Sequence, residues 1–279
     1  PTSSTMGRMP LTQAYPAPSE AEVVMRADFT HVMLRAALGA NYFAPIATPS
    51  FILDAGCGSG RWVRDMAAEF PIARVVGVDL VTPTQSNPAS SGVFSTTDQH
   101  RSYAFVQHNI MEPLPFAPAS FDLTHMRQMT RDLPVAAWPR VVGEMARVTA
   151  VGGWVELVEG ALARNGGPAL ETIQHWALQA WRQHGLDPRV SSQLPDLLHR
   201  LSLTDIRTHT VELPIGPHGG RFGELMGADL LARVEGMRGQ IIAARATTPE
   251  AFTQAQNALR HEMELGTIVQ PFYVVYGRR

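Results

Sequence analysis

Residues 51–61 read FILDAGCGSGR and predict a strand, a glycine-rich loop and the start of a helix. The apolar residues 51–53 stop at Asp54 and are followed by turn formers, as expected of a buried strand. Glycines at 56, 58 and 60 permit tight turns and let a ligand approach the backbone without meeting a Cβ atom. The segment that follows, RWVRDMAAEF, has helical spacing. This order of elements is typical of a nucleotide-binding turn.

The composition is that of a globular chain with a substantial core. Of its 279 residues, 45% are hydrophobic and 17% charged, and the net charge of −2 gives no electrostatic reason to bind nucleic acid. We find no membrane-spanning stretch and no signal-peptide pattern. The single cysteine, Cys57, excludes an internal disulfide framework and a cysteine-rich metal site. We therefore expect a cytoplasmic protein that acts without nucleic acid or a membrane.

Polar residues follow the next two predicted strands. Asp79 ends the strand ARVVGVDL about 20 residues after the glycine loop, where an acid that binds a ribose is expected. Its two acceptor oxygens match the two vicinal hydroxyl donors of a ribose. Asn109 follows the strand YAFVQHNI, where its amide either pairs with an adenine or only forms a turn. Strands and helices alternate five times to about residue 160, which predicts an α/β doubly wound sheet.

The outer segments are predicted to form helices around this sheet. Residues 1–45 are interpreted as a lid segment, whose helix begins near Ser19 and either lies across the cofactor or packs as an outer helix. Residues 46–279 form the ligand-binding domain, with helical insertions at about 163–203 and 217–265. DIRTHTVELPI and TIVQPFYVVYG predict a sixth strand and a closing strand. Residues 81–102 are rich in Ser, Thr and Pro and predict a long loop.

Several of these motifs together resemble class I S-adenosylmethionine (SAM) methyltransferases. ILDAGCGSG, GVDL, FVQHN, LPF, FDLTHMR and GGWVELVE follow in the order of that family's motifs over residues 50–160. The chain is also similar, in its N-terminal helix and in VELPIGP, to fungal secondary-metabolism regulator methyltransferases and bacterial small-molecule methyltransferases. The resemblance implies a Rossmann-like, seven-stranded sheet whose last strand is antiparallel, an N-terminal lid helix and helical substrate-cap insertions. A dehydrogenase is less consistent, because Arg61 stands where its third glycine belongs.

The resemblance also implies site residues. The cofactor would be SAM, and the product S-adenosylhomocysteine. The amino-acid, ribose and adenine parts of SAM would together contact nine residues: Tyr15, Asp54, Gly56, Gly58, Asp79, Leu80, Asn109, Ile110 and Met126. His125 and Arg127 match an H-x-R pattern after the fourth strand, facing the transferable methyl group. Glu159 matches an acid on the substrate side. The substrate set is completed by His175 and Trp176 in the first insertion, where surface or packing roles are the alternative.

Methyl transfer itself needs alignment of three atoms and exclusion of water. An oxygen or carbon acceptor also needs a proton removed, which makes His125 the first candidate for a catalytic base and Glu159 the second. The alternative for His125 is a hydrogen bond to the acceptor or to the backbone. No cluster has metal-ligand spacing, so we predict no metal.

The sequence therefore predicts a SAM-dependent methyltransferase that acts on a small, largely apolar molecule, plausibly in secondary metabolism. Two other interpretations stay open: a SAM-binding regulatory or scaffold protein that acts through a protein partner, and an enzyme that uses SAM for cyclisation or rearrangement. A homodimer is compatible with all three.

Overall fold

The computed structural model describes residues 20–81, 83 and 102–279. The first helix, α1, spans Glu20–Leu38 and ends where Gly39 adopts a φ of 72°, as a helix C-cap requires. Tyr15 and nearly all of the loop predicted at 81–102 lie outside the described residues.

Seven strands form one sheet. They are β1 Phe51–Ala55, β2 Arg74–Asp79, β3 Tyr103–Gln107, β4 Phe121–Arg127, β5 Thr149–Gly160, β6 Thr204–Pro214 and β7 Val269–Arg278. Their spatial order is β3-β2-β1-β4-β5-β7-β6. The first five strands pair in parallel, and β7 runs antiparallel to both β5 and β6. The α/β doubly wound sheet with an antiparallel last strand is confirmed.

Six further helices connect or cover the strands. They are α2 Arg61–Glu69, α3 Trp138–Val148, α4 Pro168–Arg182, α5 Leu194–Arg200, α6 Gly220–Ala243 and α7 Pro249–Leu265. One face of the sheet packs against α3 and α5 around Trp138 and Leu198, and the other against α2 around Trp62. Because the central strands are buried on both faces, their sequences are nearly continuous apolar runs.

A third apolar core lies among the outer helices and reaches β6 and β7. It joins α4, α6 and α7 around Phe252, which is completely buried, and receives Met33 and Leu34 from α1. The helix α5 belongs to the predicted insertion 163–203, yet its leucines pack with α3 on the sheet. The helical cap of the described chain therefore consists of α4, α6 and α7, with α1 docked against it.

Candidate functional site

The glycine loop needs glycine at three alternate positions. The φ angles of Gly56, Gly58 and Gly60 are 74°, 53° and 71°, a region that side chains with a Cβ atom adopt only with strain. The loop is fixed to β2, because the amides of Gly56 and Cys57 donate to the carbonyl of Val78 at 2.8 and 3.0 Å. A Cβ at Gly58 would meet no atom of the described residues within 4 Å, so this glycine borders open space in that part of the structure.

Asp79 lies at the carboxyl end of β2 and faces this loop. Its Oδ2 accepts a hydrogen bond from the Gly58 amide at 2.7 Å. Leu80, the next residue, has 59% of its surface exposed. Because the carboxyl ends of parallel strands share one edge of the sheet, the acid and the glycine loop form one concave border there.

Asn109 and Ile110 follow β3 on the same edge. The Oδ1 atom of Asn109 accepts from the amide of Met111 at 3.0 Å, so the side chain also forms the turn. Ile110 is 7% exposed and packs in the core on the α3 face. Met126, another predicted contact, is completely buried in that same core.

A buried polar row crosses the centre of the sheet. Asp54, His125 and Glu156 occupy neighbouring register positions on β1, β4 and β5, and none is more than 1% exposed. The Nδ1 of His125 donates to Oδ1 of Asp54 at 2.8 Å, and its ring stacks on Trp62 with centroids 3.9 Å apart. His125 is thus held inside the sheet against α2, where it orients Asp54.

Glu156 completes this row, and the sequence interpretation gave it no role. One carboxylate oxygen accepts from the amides of Phe43 and Ala44 at 2.7 and 2.6 Å, tying the segment after α1 to the sheet. Its other oxygen and the Nε2 of His125 have no hydrogen-bond partner among the described residues. Burial raises the pKa of Glu156, whereas the nearby His125 opposes that shift. An acid inside the apolar strand GGWVELVE was the available signal.

Arg127 connects the end of β4 to the first helix. Its NH2 group donates to Nδ1 of His31 at 2.8 Å, and the Nε2 of His31 contacts Asp65 of α2 at 3.0 Å. His31 therefore accepts on one ring nitrogen and donates on the other, as the neutral imidazole does. Burial, followed by the charge of Arg127, lowers the pKa of His31. Together with a 2.6 Å bond from the Ser59 hydroxyl to Asp28, these contacts join α1 to the glycine loop.

Glu159 fixes the loop that follows β4. Its carboxylate oxygens accept from the amides of Met129 and Thr130 at 2.8 and 3.2 Å. The side chain is completely buried, and burial raises its pKa to about 8. Met129 in turn lies against the glycine loop, since a Cβ at Gly56 would be 2.7 Å from its sulfur. Glu159 therefore shapes the wall beside the glycine loop.

A cleft opens between this loop and the cap. The cleft consists of two adjoining cavities, both open to solvent, with about 760 and 320 Å³ of empty space. The residues that line both cavities come from the loop after β4, from α6 and from β7: Gln128, Arg131, Arg233, Gln270 and Phe272. The larger cavity adds apolar walls from α4 and α6 that include Ile173, Trp181 and Met237. Such a concave, largely apolar site with a few polar groups suits a small molecule.

The two substrate residues predicted on α4 lie elsewhere. His175 is exposed, and the ring of Trp176 stacks on Phe252 in the cap core with centroids 6.4 Å apart. The lining residues Gln128 and Arg131 were missed. They stand in a short loop without periodicity, and the only local signal was their position just after the H-x-R pattern.

The described ranges lack two kinds of feature. No group of three or more His, Cys, Asp or Glu side chains there could hold a metal ion. None of the helices described is long and apolar enough to cross a membrane.

The sequence matches a known family and several curated proteins. Residues 52–153 match the family described as a methyltransferase domain. Methyltransferase str3 from Strobilurus tenacellus is 30% identical over 180 residues, which cover 62% of this chain and 60% of that protein. N-methyltransferase tcpN from Claviceps purpurea is 27% identical over 269 residues, which cover 91% and 93%. The secondary metabolism regulator laeA from Aspergillus fumigatus is 30% identical over 149 residues, or 52% of this chain and 36% of laeA.

A solved structure shares the fold. Phosphoethanolamine N-methyltransferase 2 from Haemonchus contortus, in complex with S-adenosyl-L-methionine, superposes with a TM-score of 0.53 at 14% identity, covering 94% of this chain and 57% of that one. The chain thus spans 60% of the length of str3 and a little over half of this solved protein. Over residues 52–153 the chain thus matches a methyltransferase domain, and it is similar to fungal methyltransferases and to a fungal regulator of secondary metabolism.

Proposed function

We propose that this chain transfers the methyl group of SAM to a small, largely apolar molecule, in secondary metabolism and in the cytoplasm. The observation that carries the proposal is the shared edge of the sheet, where the glycine loop and Asp79 border the wall that also lines the cleft. A cofactor held at the loop and an acceptor in the cleft would then meet beside residues 128–131. A homodimer would be compatible with this arrangement.

The residues at this edge fit SAM. Gly58 leaves open space, which allows the amino-acid end of SAM to approach the backbone. Asp79 carries two acceptor oxygens beside that space, as the ribose hydroxyls require. Asp54 would serve the amino-acid end through the orientation that His125 gives it. Leu80 and Asn109 would flank the adenine. When bound, SAM supplies an activated methyl group on a sulfonium.

The contribution of the protein would be alignment and exclusion of water. Orientation of bound reactants can account for about 7–11 kcal/mol of barrier lowering. The loop at 128–131, fixed by Glu159, and the apolar walls from α4 and α6 would hold the acceptor against the cofactor edge. A proton leaving an oxygen or carbon acceptor would need a base. His125 and Glu159 stay the candidates, and their burial favours positioning roles for both.

Two measurements test the proposal. Isothermal titration calorimetry should show SAM binding, and Asp79→Ala should weaken it by about tenfold to a hundredfold, because a hydrogen bond to a charged group contributes roughly 1.5–3 kcal/mol. Asp79→Asn keeps an acceptor for the Gly58 amide and separates loop support from ribose binding. Labelled SAM should also transfer methyl to a component of a metabolite extract. Undiminished affinity in Asp79→Ala would contradict the ribose assignment, and absence of any labelled product would contradict the transferase.

A further inference from the structure

The loop after β4 is held in an unusual conformation next to the cleft. Gln128 has a φ of 59° although it carries a Cβ atom, and its amide donates to the carbonyl of Val158 at 3.0 Å. A residue with a Cβ atom adopts this region only with strain, and strain of this kind is frequent at binding and catalytic sites. Glu159 holds the next two amides, so the backbone that leads to Arg131 is fixed from two sides.

Arg131 brings a charge into the cleft that no described side chain lining the cleft neutralises. The half-buried Arg131 lines both cavities, and among the described residues its side chain makes no hydrogen bond and no ion pair. Burial raises the pKa of the neighbouring Asp132 and the charge of Arg131 opposes that shift, but Asp132 does not line the cleft. The half-buried cation therefore lacks the compensation that buried charges usually have.

The other arginine of the cleft is paired. Arg233 lies 2.8 Å from Asp229 in an ion pair, and it also donates to Oε1 of Gln270 at 2.9 Å. Arg131, Arg233 and Asp229 are the charged residues that line the two cavities in the described part of the chain. Their sum is one positive charge, and Arg131 carries it.

We propose that the cleft binds its acceptor through a carboxylate, held by Arg131 and the side-chain amide of Gln128, with the apolar part of the molecule against α4 and α6. That the bound molecule is a methyl acceptor rests on the proposed function. A guanidinium presents parallel donors that match a carboxylate, and the pair is stronger than a neutral hydrogen bond. A single excess positive charge is balanced by a monoanion, whereas a phosphate dianion would leave negative charge in a largely apolar cleft. The acceptor is thus an amphipathic monocarboxylic acid.

Matched probes test this without knowledge of the natural acceptor. We would titrate phenylacetate, phenylacetamide, octanoate and octanamide into the protein with and without S-adenosylhomocysteine. Wild type should bind at least one carboxylate about tenfold more tightly than its amide, as expected for a charge-assisted pair. Arg131→Ala should remove the preference, and Arg131→Lys should keep part of it. Arg140→Ala, on the exposed side of α3, should leave it unchanged.

Affinity for S-adenosylhomocysteine is measured on every protein. In the variants it checks that the fold is intact, and in the wild type it tests the proposed function. If the product binds wild type but neither carboxylate is preferred, or if Arg131→Ala keeps the preference, the inference is overturned while the methyltransferase proposal stands. If the carboxylate preference depends on Arg131 but the product does not bind, the anion site stands and the proposed function fails.

Discussion

At the scale of single residues, the buried row in the sheet separates positioning from catalysis. His125 donates to Asp54 and stacks on Trp62, and all three side chains are buried. His125 therefore influences the cofactor edge of the sheet by orienting Asp54. A histidine in such a place affects how a ligand is held even when it never exchanges a proton with the acceptor.

Replacing His125 tests this distinction. His125→Asn should lower the free energy of unfolding by about 3 kcal/mol, because it breaks a buried pair and removes a ring packed on Trp62. It should also raise the dissociation constant for SAM, since Asp54 loses its orientation. Calorimetry and thermal unfolding measure the two effects. A variant with unchanged SAM affinity, reduced kcat and an altered pH profile would instead identify His125 as the base.

The raised pKa of Glu159 predicts a pH dependence of stability. Its pKa is about 8 in the folded protein against an ordinary 4.5, so the folded state binds more protons between these values. The free energy of unfolding should then fall as the pH rises from about 4.5 to 8, by on the order of a few kcal/mol. Urea unfolding at several pH values measures the slope. Glu159→Gln should flatten it, and an unchanged slope would show that another group is responsible.

At the scale of elements, α1 is held to the sheet by the hydrogen bonds of His31, a residue whose charge depends on pH. His31 connects Arg127 at the end of β4 with Asp65 of α2, and the charges around it also include Arg35 and Arg61. Protonation of His31 would replace the acceptor of Arg127 by a second positive charge. Docking of α1 should therefore depend on the neutral imidazole.

The hydrogen bonds of His31 predict that α1 is less stably docked at acidic pH. The pKa of His31 is lowered from 6.5 in the folded state, so its contribution to stability is present above that value and is lost as the pH falls below it. Asp65, whose pKa lies below its ordinary 3.8, stays ionised through this window. The protection factors of the α1 amides, which are exchange rates corrected for the intrinsic pH dependence of amide exchange, should fall between pH 7 and pH 5. His31→Gln should remove most of the difference, and His175→Gln, at an exposed position, should not.

Elements also differ in how well the sequence predicts them. The strand and glycine loop of residues 51–61 carry a local signal, because positive φ angles and a buried strand restrict residue choice directly. The helix α5 carries apolar spacing that fits any apolar surface, so the sequence did not tell whether it packs on the sheet or in the cap. Arg131 has no local pattern at all, and its role appears only when α6 and β7 close the cleft around it.

At the scale of the whole molecule, the cap core is separate from the two cores on the sheet faces, and the two parts support different sites. The cores on the sheet faces hold the glycine loop and its strands, and the cap core of α4, α6 and α7 holds the outer walls of the cleft. The proposed cofactor and acceptor sites thus depend on different packing. Damage to the cap should then affect acceptor binding more than cofactor binding.

Phe252 offers the sharpest test, because it is completely buried, lies against Trp176 and has the guanidinium of Arg238 5.3 Å from its ring centre. Phe252→Ala should cost about 3–5 kcal/mol, as removal of a buried aromatic ring does. S-adenosylhomocysteine affinity should change less than twofold or so, whereas binding of a preferred carboxylate probe should fall by about tenfold or more as α4 and α6 lose their spacing. Calorimetry below the melting temperature measures both. Ile72→Ala, at a position 88% exposed, serves as the control. Equal losses of affinity for both ligands would mean that the cap and the sheet form one cooperative unit. The separate dependence of the two sites on the two kinds of core would then be wrong.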